Sequence, residues 1–221
     1  IVRVSGLFDH CIVEYDNTNK LIHLNSNFSN LLNCRYFLDY LLDLLSSAKF
    51  KFLKGFKIKD YVEGFVLGRK YSREDVFHLL NWDKKPVAQN VGGYKVSSDE
   101  RTCPIFVTYE KSDHISQTTK YEDAFLSPDL FSWMSRSHRT LKSTEVASIV
   151  SQARNGIRLP LFIKKSDDEG QEHYFIGDLT VIEGSAKQET MQSAKGPVSV
   201  VNIHFSIDAT VEDKLYKYLS D

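Results

Sequence analysis

Short apolar runs rich in β-branched and aromatic residues dominate the sequence after residue 100, and they limit the possible folds more than any other feature. Such runs favour strands, because branched and aromatic side chains pack well on a pleated surface. The sequence DDEG at 167–170 separates two of the runs and predicts a hairpin turn. The predicted strands cover residues 104–109, 158–165, 173–183 and 198–207.

Helix signals surround these strands. A serine or threonine at the start of a helix accepts hydrogen bonds from free backbone amides, and acids in the first turn favour the positive end of the helix dipole. On this basis helices are predicted to begin at Ser72, at Ser127 followed by Pro128, at Ser143, and at Thr210. The helix from Ser143 is predicted to stop at Asn155-Gly156. Together the signals predict an α+β fold with a curved, mainly antiparallel β-sheet or partly open barrel flanked by helices.

The first 60 residues have a different pattern. Residues 12–15 and 21–24 are predicted to form a hairpin around an Asx-rich turn, with a helix as the alternative for the same residues. Further on, Leu38, Leu41, Leu42 and Leu45 follow the spacing of one helical face. A stripe of this width indicates core packing or an interface with an adjoining domain. Residues 49–59 are predicted to be a solvated loop, with a basic strand edge as the alternative. We therefore expect a helical N-terminal extension over residues 1–60 and a second domain over 61–221.

Composition excludes several classes of protein. The formal net charge of −1 provides no overall basic field that would bind nucleic acid by itself. Cys11, Cys34 and Cys103 are far apart and form no C-x-x-C pair, which favours free thiols in a reducing cytoplasm. No apolar run is long enough to span a membrane, so no membrane partner is expected. Because Ile1 stands where a Met would begin a complete chain, we expect a fragment of a longer protein.

Motifs for catalysis are absent or incomplete. The sequence contains neither H-E-x-x-H nor G-x-S-x-G, and a strand pattern follows Gly92-Gly93 where a phosphate-binding loop needs a helix. A metal-dependent nuclease would place Glu-x-Lys after an acid such as Asp178, but Glu183 is followed by Gly-Ser. The sequence therefore predicts a non-catalytic domain with no cofactor and no metal.

Aromatic, cationic and hydroxyl side chains concentrate between residues 90 and 139, which is typical of a nucleic-acid site. A pocket for a flipped base needs aromatic walls and a polar group that recognises the edge of the base. An acid suits cytosine, because its exocyclic amine is a donor. The predicted pocket residues are Asn90, Tyr94, Tyr109, Tyr121, Asp123 and Trp133, with Asp99 as an alternative acceptor. For each of these aromatics, core packing is the competing interpretation.

Hydroxyl and cationic side chains after the last of these aromatics suit the backbone phosphates of a nucleic acid. The predicted phosphate-binding residues are Lys111, Ser135, Arg136, Ser137 and Arg139. A solvated basic loop is the alternative interpretation of the same run.

Several segments, in order, resemble one family. They include YSREDVFHLLNW at 71–82, NVGGYK at 90–95, PIFVTYEK at 104–111 and FSWMSRSHRT at 131–140. They are similar to the C-terminal domain that follows a phospholipase-D-type nuclease and a superfamily II helicase in ATP-dependent type IV restriction enzymes. The resemblance implies an SRA/PUA-like fold.

The same resemblance implies a function in restriction of modified DNA. The domain would recognise 5-methylcytosine or 5-hydroxymethylcytosine in DNA by base flipping. The helicase and nuclease domains of the same polypeptide would be its partners and would supply motion and cleavage. An alternative is a structural module that docks on the helicase and regulates it without base readout, which would suit the leucine stripe at 38–45.

Overall fold

The computed structural model describes residues 12–16, 21–55, 60–82, 86–87, 90–110, 123–193 and 196–220. The chain divides into two compact units, Ile1–Asp60 and Tyr61–Asp221. Among the described residues, no helix combines the length and the apolar character needed to cross a membrane.

The first unit contains a hairpin and two helices. Strands β1 (Val13–Asp16) and β2 (Leu21–Leu24) pair antiparallel, which confirms the predicted hairpin. Helices α1 (Ser26–Leu32) and α2 (Arg35–Gly55) follow. The predicted loop after residue 49 is therefore wrong as far as Gly55, because the helix continues through it.

The leucine stripe of α2 does not form a core. Leu38, Leu42 and Leu45 are 36%, 52% and 49% exposed. The stripe was predicted to be either core or an interface; its exposure contradicts the core interpretation, and the interface stays a prediction.

The second unit begins with β3 (Tyr61–Val62), β4 (Phe65–Val66), β5 (Lys70–Tyr71) and α3 (Arg73–Leu79). It continues with β6 (Ile105–Glu110), β7 (Ala124–Ser127), β8 (Leu130–Met134), α4 (Thr144–Val150) and α5 (Gln152–Asn155). It ends with β9 (Pro160–Ser166), β10 (His173–Val181), β11 (Lys187–Ser193), β12 (Gly196–Ile207) and α6 (Asp213–Ser220).

The main sheet has the strand order β6-β9-β10-β12-β8-β7, with β11 paired to β12 and β5 paired to β10. Its pairs are antiparallel except β6 with β9. Tyr109 on β6 and Phe125 on β7 come from the two ends of this order, yet the Phe125 amide donates to the Tyr109 hydroxyl at 2.6 Å. The sheet therefore curls until its end strands meet, which confirms the predicted curved sheet or partly open barrel in an α+β fold.

Both faces of the central strands are covered. On β9, Leu161 and Ile163 join one buried cluster with Trp133 and α4 residues, whereas Phe162 joins a second cluster with α3 residues. This explains why residues 160–163 form a continuous apolar run instead of alternating with polar residues. The register between β10 and β9 shifts between Phe175 and Gly177, and the backbone φ of Gly177 is 147°.

Two helix predictions need correction. Ser127 and Pro128 do not begin a helix, because residues 128–129 form the two-residue turn between β7 and β8. Pro also suits the first corner of a turn, and Phe131 and Trp133 alternate into the core as strand residues. At the C-terminus, α6 begins at Asp213, three residues after the predicted cap Thr210.

Other local predictions are confirmed. Ser72 caps α3 in a reciprocal capping box with Asp75. Gly156 ends α5 in the left-handed conformation, with φ 67°. Residues 167–169 form the turn between β9 and β10.

Candidate nucleic-acid interface

The segment 135–140 connects β8 to α4 and runs along the edge of β12. The Ser135 amide donates to the Val201 carbonyl and the Val201 amide donates to Ser135 Oγ, both at 2.8 Å. The Arg139 amide donates to the Ser199 carbonyl at 3.2 Å. Ser135 is fully buried, so its predicted role as a phosphate ligand is not supported, and its hydroxyl instead fixes the segment to the sheet.

Two arginines of this segment share one carboxylate oxygen. Arg139 Nε donates to Glu145 Oε1 at 2.5 Å, and Arg136 Nη2 lies 3.6 Å from the same oxygen. The two arginine side chains remain 32% and 40% exposed. We call Arg136, Arg139, Glu145 and Tyr94 the arginine cluster. Its two guanidinium groups and one carboxylate leave a formal charge of +1.

The charges of this cluster stabilise each other. Burial raises the pKa of Glu145, but its own backbone amide and the nearby Arg139 and Arg136 outweigh burial and lower it overall. The pKa of Arg139 is raised, chiefly by its hydrogen bond to Glu145. Glu145 and Arg139 are therefore ionised at neutral pH, and Glu145 holds the two arginines side by side at the start of α4.

Arg136 also lies over an aromatic ring. Its guanidinium carbon is 4.3 Å from the centre of the Tyr94 ring, a cation–π arrangement. Arg136 Nε and the Tyr94 hydroxyl are both buried without a hydrogen-bond partner among the described residues. Burial raises the pKa of Tyr94, which stays neutral. The ring thus supports the inner edge of the guanidinium, while part of Arg136 remains open to solvent.

Tyr94 and Trp133 were predicted as walls of a base pocket, but the structure places both in the core. They are 1% and 2% exposed and pack edge to face, with ring centres 4.9 Å apart. Trp133 also packs edge to face on Phe205 of β12. Because neither ring has an open face, a base cannot stack on them in this arrangement, and their observed role is to fill the interior of the curled sheet.

Tyr109 and Asp123 lie together where the end strands of the sheet meet, and both are half-buried. Tyr109 stacks on Phe125 with ring centres 6.1 Å apart, and burial raises its pKa to about 12, with Asp123 a smaller raising contribution. Asp123 Oδ1 accepts from the Met134 amide at 2.8 Å. We call Tyr109 and Asp123 the seam pair. They combine an aromatic ring with a carboxylate acceptor.

The remaining predicted site residues are dispersed or lie outside the described residues. Asn90 is exposed in the loop that precedes β6. Asp99 belongs to its own turn, where it accepts from Ser97 Oγ and the Arg101 amide, and these bonds lower its pKa. Ser137 is half-buried and already makes a contact of its own. Tyr121 and Lys111 lie outside the described residues.

The carboxylate considered for a nuclease centre is paired with an arginine. Asp178, the candidate acid, accepts from Arg158 Nε at 2.8 Å. Burial raises the pKa of Asp178, and Arg158 opposes the rise. In the described part of the chain, no group of three or more His, Cys, Asp or Glu side chains is placed to hold a metal ion.

An open groove lies beside α4 and α5. Val150, Val181 and Ile182 are among its apolar lining residues, with Arg154 and Glu183 as its charged ones. None of its lining residues is aromatic, so it does not match the aromatic pocket that a stacked base requires.

The two arginines could be predicted from the sequence, but their contact with Glu145 could not. Glu145 lies in the first turn of the helix predicted to begin at Ser143. The signal that could have identified the contact is its position six residues after Arg139, just beyond a cap that turns the chain back.

Comparison with solved structures gives similar folds among DNA-recognition domains at low sequence identity. The DNA recognition domain of the cytosine modification-dependent restriction endonuclease LpnPI has a TM-score of 0.45 and 9% identity, covering 64% of this chain and 72% of that one. The DNA modification-dependent restriction endonuclease AspBHI has a TM-score of 0.46 and 12% identity, covering 71% and 81%. The SUVH5 SRA domain, in complex with hemimethylated CG DNA, has a TM-score of 0.43 and 15% identity, covering 69% and 96%.

A family model identifies the chain more directly. It matches residues 65–219, and the chain belongs to the family described as "Domain of unknown function (DUF3427)". No curated protein matches the sequence.

Proposed function

We propose that residues 61–221 recognise DNA carrying 5-methylcytosine or 5-hydroxymethylcytosine and do not catalyse a reaction. The family match over residues 65–219 supports the resemblance from which this ligand is taken. The observation that carries DNA binding is the arginine cluster, in which two partly exposed guanidinium groups share one carboxylate oxygen.

The arginine cluster suits a backbone phosphate. A guanidinium donates in a planar fork that matches the oxygens of a phosphate, and Arg136 is supported from below by the Tyr94 ring. Glu145 neutralises only one of the two positive charges. Because phosphates carry no base identity, these contacts would position DNA without selecting the modification.

The seam pair is the proposed site of base readout. A flipped cytosine offers an amine donor and a flat ring, which a carboxylate and an aromatic side chain recognise. Asp123 and Tyr109 bring these two groups together, and Tyr121 is proposed as a further pocket residue, whereas Asn90 is proposed to contact DNA outside the pocket. This moves the proposed pocket away from the buried rings of Tyr94 and Trp133.

The proposed context is a cytoplasmic restriction enzyme that acts on modified DNA. The helicase and nuclease domains of the same polypeptide would supply ATP-driven motion and cleavage. A neighbouring motor that binds the DNA backbone would also account for a net charge of −1 on a domain that recognises DNA.

A binding titration tests the proposal. Fluorescently labelled duplexes with one central cytosine, 5-methylcytosine or 5-hydroxymethylcytosine are titrated with the protein at several salt concentrations. We expect tighter binding to at least one modified duplex, and a dissociation constant that rises with salt because phosphate contacts release counterions. Equal affinity for all three duplexes at every salt concentration would reject recognition of the modification.

For the N-terminal unit we propose a second function, docking on the helicase part of the same polypeptide. The exposed Leu42 and Leu45 of α2 favour it, because an apolar stripe on a helix is typical of a contact surface. Replacing both leucines with glutamate should abolish co-purification with the helicase part. Ser47→Glu, on the opposite side of α2, is the matched control, and equal co-purification of both variants would reject docking through this stripe.

A further inference from the structure

A row of polar residues crosses the face of the sheet that packs against α3. The parallel register places Thr108 of β6 beside Lys164 of β9. The antiparallel register pairs Ile163 with Tyr174, so His173 of β10 lies beside Lys164 on the other side. This row borders the buried cluster of Phe106, Phe162 and Phe175, on the face opposite Trp133.

Arg73, the first residue of α3, reaches the same place. Its guanidinium carbon is 5.3 Å from the centre of the Phe106 ring. The His173 ring packs edge-on against the same phenylalanine, with ring centres 5.5 Å apart. Arg73, Lys164 and His173 therefore converge around Phe106, and we call them the His173 cluster.

Several buried polar atoms of this cluster have no hydrogen-bond partner among the described residues. His173 is 1% exposed, and neither of its ring nitrogens makes a hydrogen bond with a described residue. Arg73 Nε is also buried without a partner in the described part of the chain. An unsatisfied buried polar group costs about 1–3 kcal/mol, so two neighbouring side chains in this state indicate that a bound group completes them.

The charges around the cluster favour a negative group. Lys164 Nζ donates to the Gly170 carbonyl at 3.0 Å and pairs with Asp167 at 2.9 Å. Lys70 pairs with Glu169 at 3.5 Å. Asp167 and Glu169 are thus matched by two lysines, and the positive charge of Arg73 remains.

Neighbouring charges also disfavour protonation of His173. The pKa of His173 is lowered to about 3, first by burial and then by the charges of Arg73 and Lys164, against smaller raising contributions from the Gln171 backbone and Asp167. A bound anion would reverse this effect, because it favours the protonated imidazole.

We propose that the His173 cluster binds a phosphate oxyanion. Arg73 Nε, an imidazole N–H of His173 and the remaining Lys164 N–H donate to its oxygens. The oxyanion is either free phosphate or a backbone phosphate of DNA. The site does not depend on the proposed DNA readout, since none of its residues belongs to the arginine cluster or the seam pair.

Inorganic phosphate is the probe, added at constant ionic strength against chloride. The ring resonances of His173, assigned with His173→Gln, are followed by NMR over a pH series, and the melting temperature is measured in parallel. We expect phosphate to raise the pKa of His173 by more than about one unit and to raise the melting temperature. Arg73→Gln should remove both effects, whereas Arg101→Gln, which changes an arginine with an 85% exposed side chain, should retain them. No response in the wild type, or an equal response in Arg73→Gln, would overturn the site.

A second arm separates the two sources. A short unmodified duplex is added in phosphate-free buffer, and the same resonances are followed. If the duplex reproduces the shift, the ligand is a DNA phosphate, and if only inorganic phosphate does so, the ligand is free phosphate. Absence of a shift in both arms rejects the oxyanion site but leaves the seam pair and the arginine cluster untouched.

Discussion

Trp133 and Arg136 are three residues apart, yet they differ in local backbone structure and in the exposure of their side chains. Trp133 belongs to a regular strand, so its position is fixed by alternation and its ring enters the core. Arg136 follows the end of that strand in an irregular segment, and its side chain is 40% exposed. The comparison indicates that the aromatics of this region hold the fold, and it leaves the exposed arginines beside them as the proposed contacts to DNA.

The largest expected effect concerns the aromatic side of this comparison. Trp133→Ala should lower the free energy of unfolding by about 3–5 kcal/mol, the usual loss when a buried tryptophan is truncated. Denaturant unfolding measures the loss, and Trp133→Phe should lose less because more of the core remains filled. If Trp133→Ala kept its stability and lost only its preference for modified DNA, Trp133 would belong to the binding site and not to the core.

Acid should destabilise the protein through His173. Its pKa is about 3 in the folded chain and about 6.5 in an unfolded one, so below pH 6.5 the unfolded chain takes up a proton that the folded chain excludes. The stabilisation is complete above pH 6.5 and declines as the pH falls toward 3. Between pH 6.5 and 5, in phosphate-free buffer, this one group should contribute a loss of about 1.5 kcal/mol.

His173→Gln is the control for the acid prediction. Denaturant unfolding at the two pH values should show a smaller loss in the variant by that amount. Equal losses in the two proteins would mean that His173 is solvated or already charged in the folded state.

A smaller effect is expected where the end strands meet. Tyr109→Phe removes the hydroxyl that accepts from the Phe125 amide and should lower the free energy of unfolding by about 1 kcal/mol. Hydrogen exchange should accelerate at the Phe125 amide and not at Val201, whose amide donates to Ser135. Unchanged exchange at Phe125 would argue against closure of the sheet through this bond.

Glu145→Gln tests whether the arginines are available to DNA. The carboxylate competes with phosphates for Arg136 and Arg139, so its removal should tighten binding at low salt. One exposed charge at about 4 Å corresponds to about 1 kcal/mol, on the order of fivefold in affinity. The gain should be equal on modified and unmodified duplexes. Weaker binding of both duplexes by Glu145→Gln would instead show that Glu145 positions the arginines for contact with DNA.

The sequence predictions succeeded where local interactions decide the structure and failed where long-range packing decides it. The strands 104–109 and 198–207 and the cap at Ser72 could be predicted, because local patterning and capping decide them. The helix predicted at Ser127 and Pro128 was wrong because the same residues suit both a helix start and a tight turn. Only the burial of Phe131 and Trp133 distinguishes the turn from the helix. β11 was missed because its exposed polar sequence gains strand structure only by pairing with β12.

The site was harder to predict than the fold. Arg136 and Arg139 could be predicted as candidate phosphate contacts because cationic and hydroxyl side chains concentrate at residues 135–139. Tyr94 and Trp133 could not be separated from surface aromatics, since the sequence does not give the curl of the sheet that encloses them. The contact of Glu145 with both arginines, and the His173 cluster formed from α3, β9 and β10, depend on long-range packing.

The most direct test measures Arg136→Ala on matched modified and unmodified duplexes, with the melting temperature taken on the same samples. We expect a nearly unchanged melting temperature, the same fold loss of affinity on both duplexes, and a salt dependence weaker by about one ion. A loss confined to the modified duplex would place base readout at Arg136, and unchanged affinity on both would remove the arginine cluster from the DNA interface.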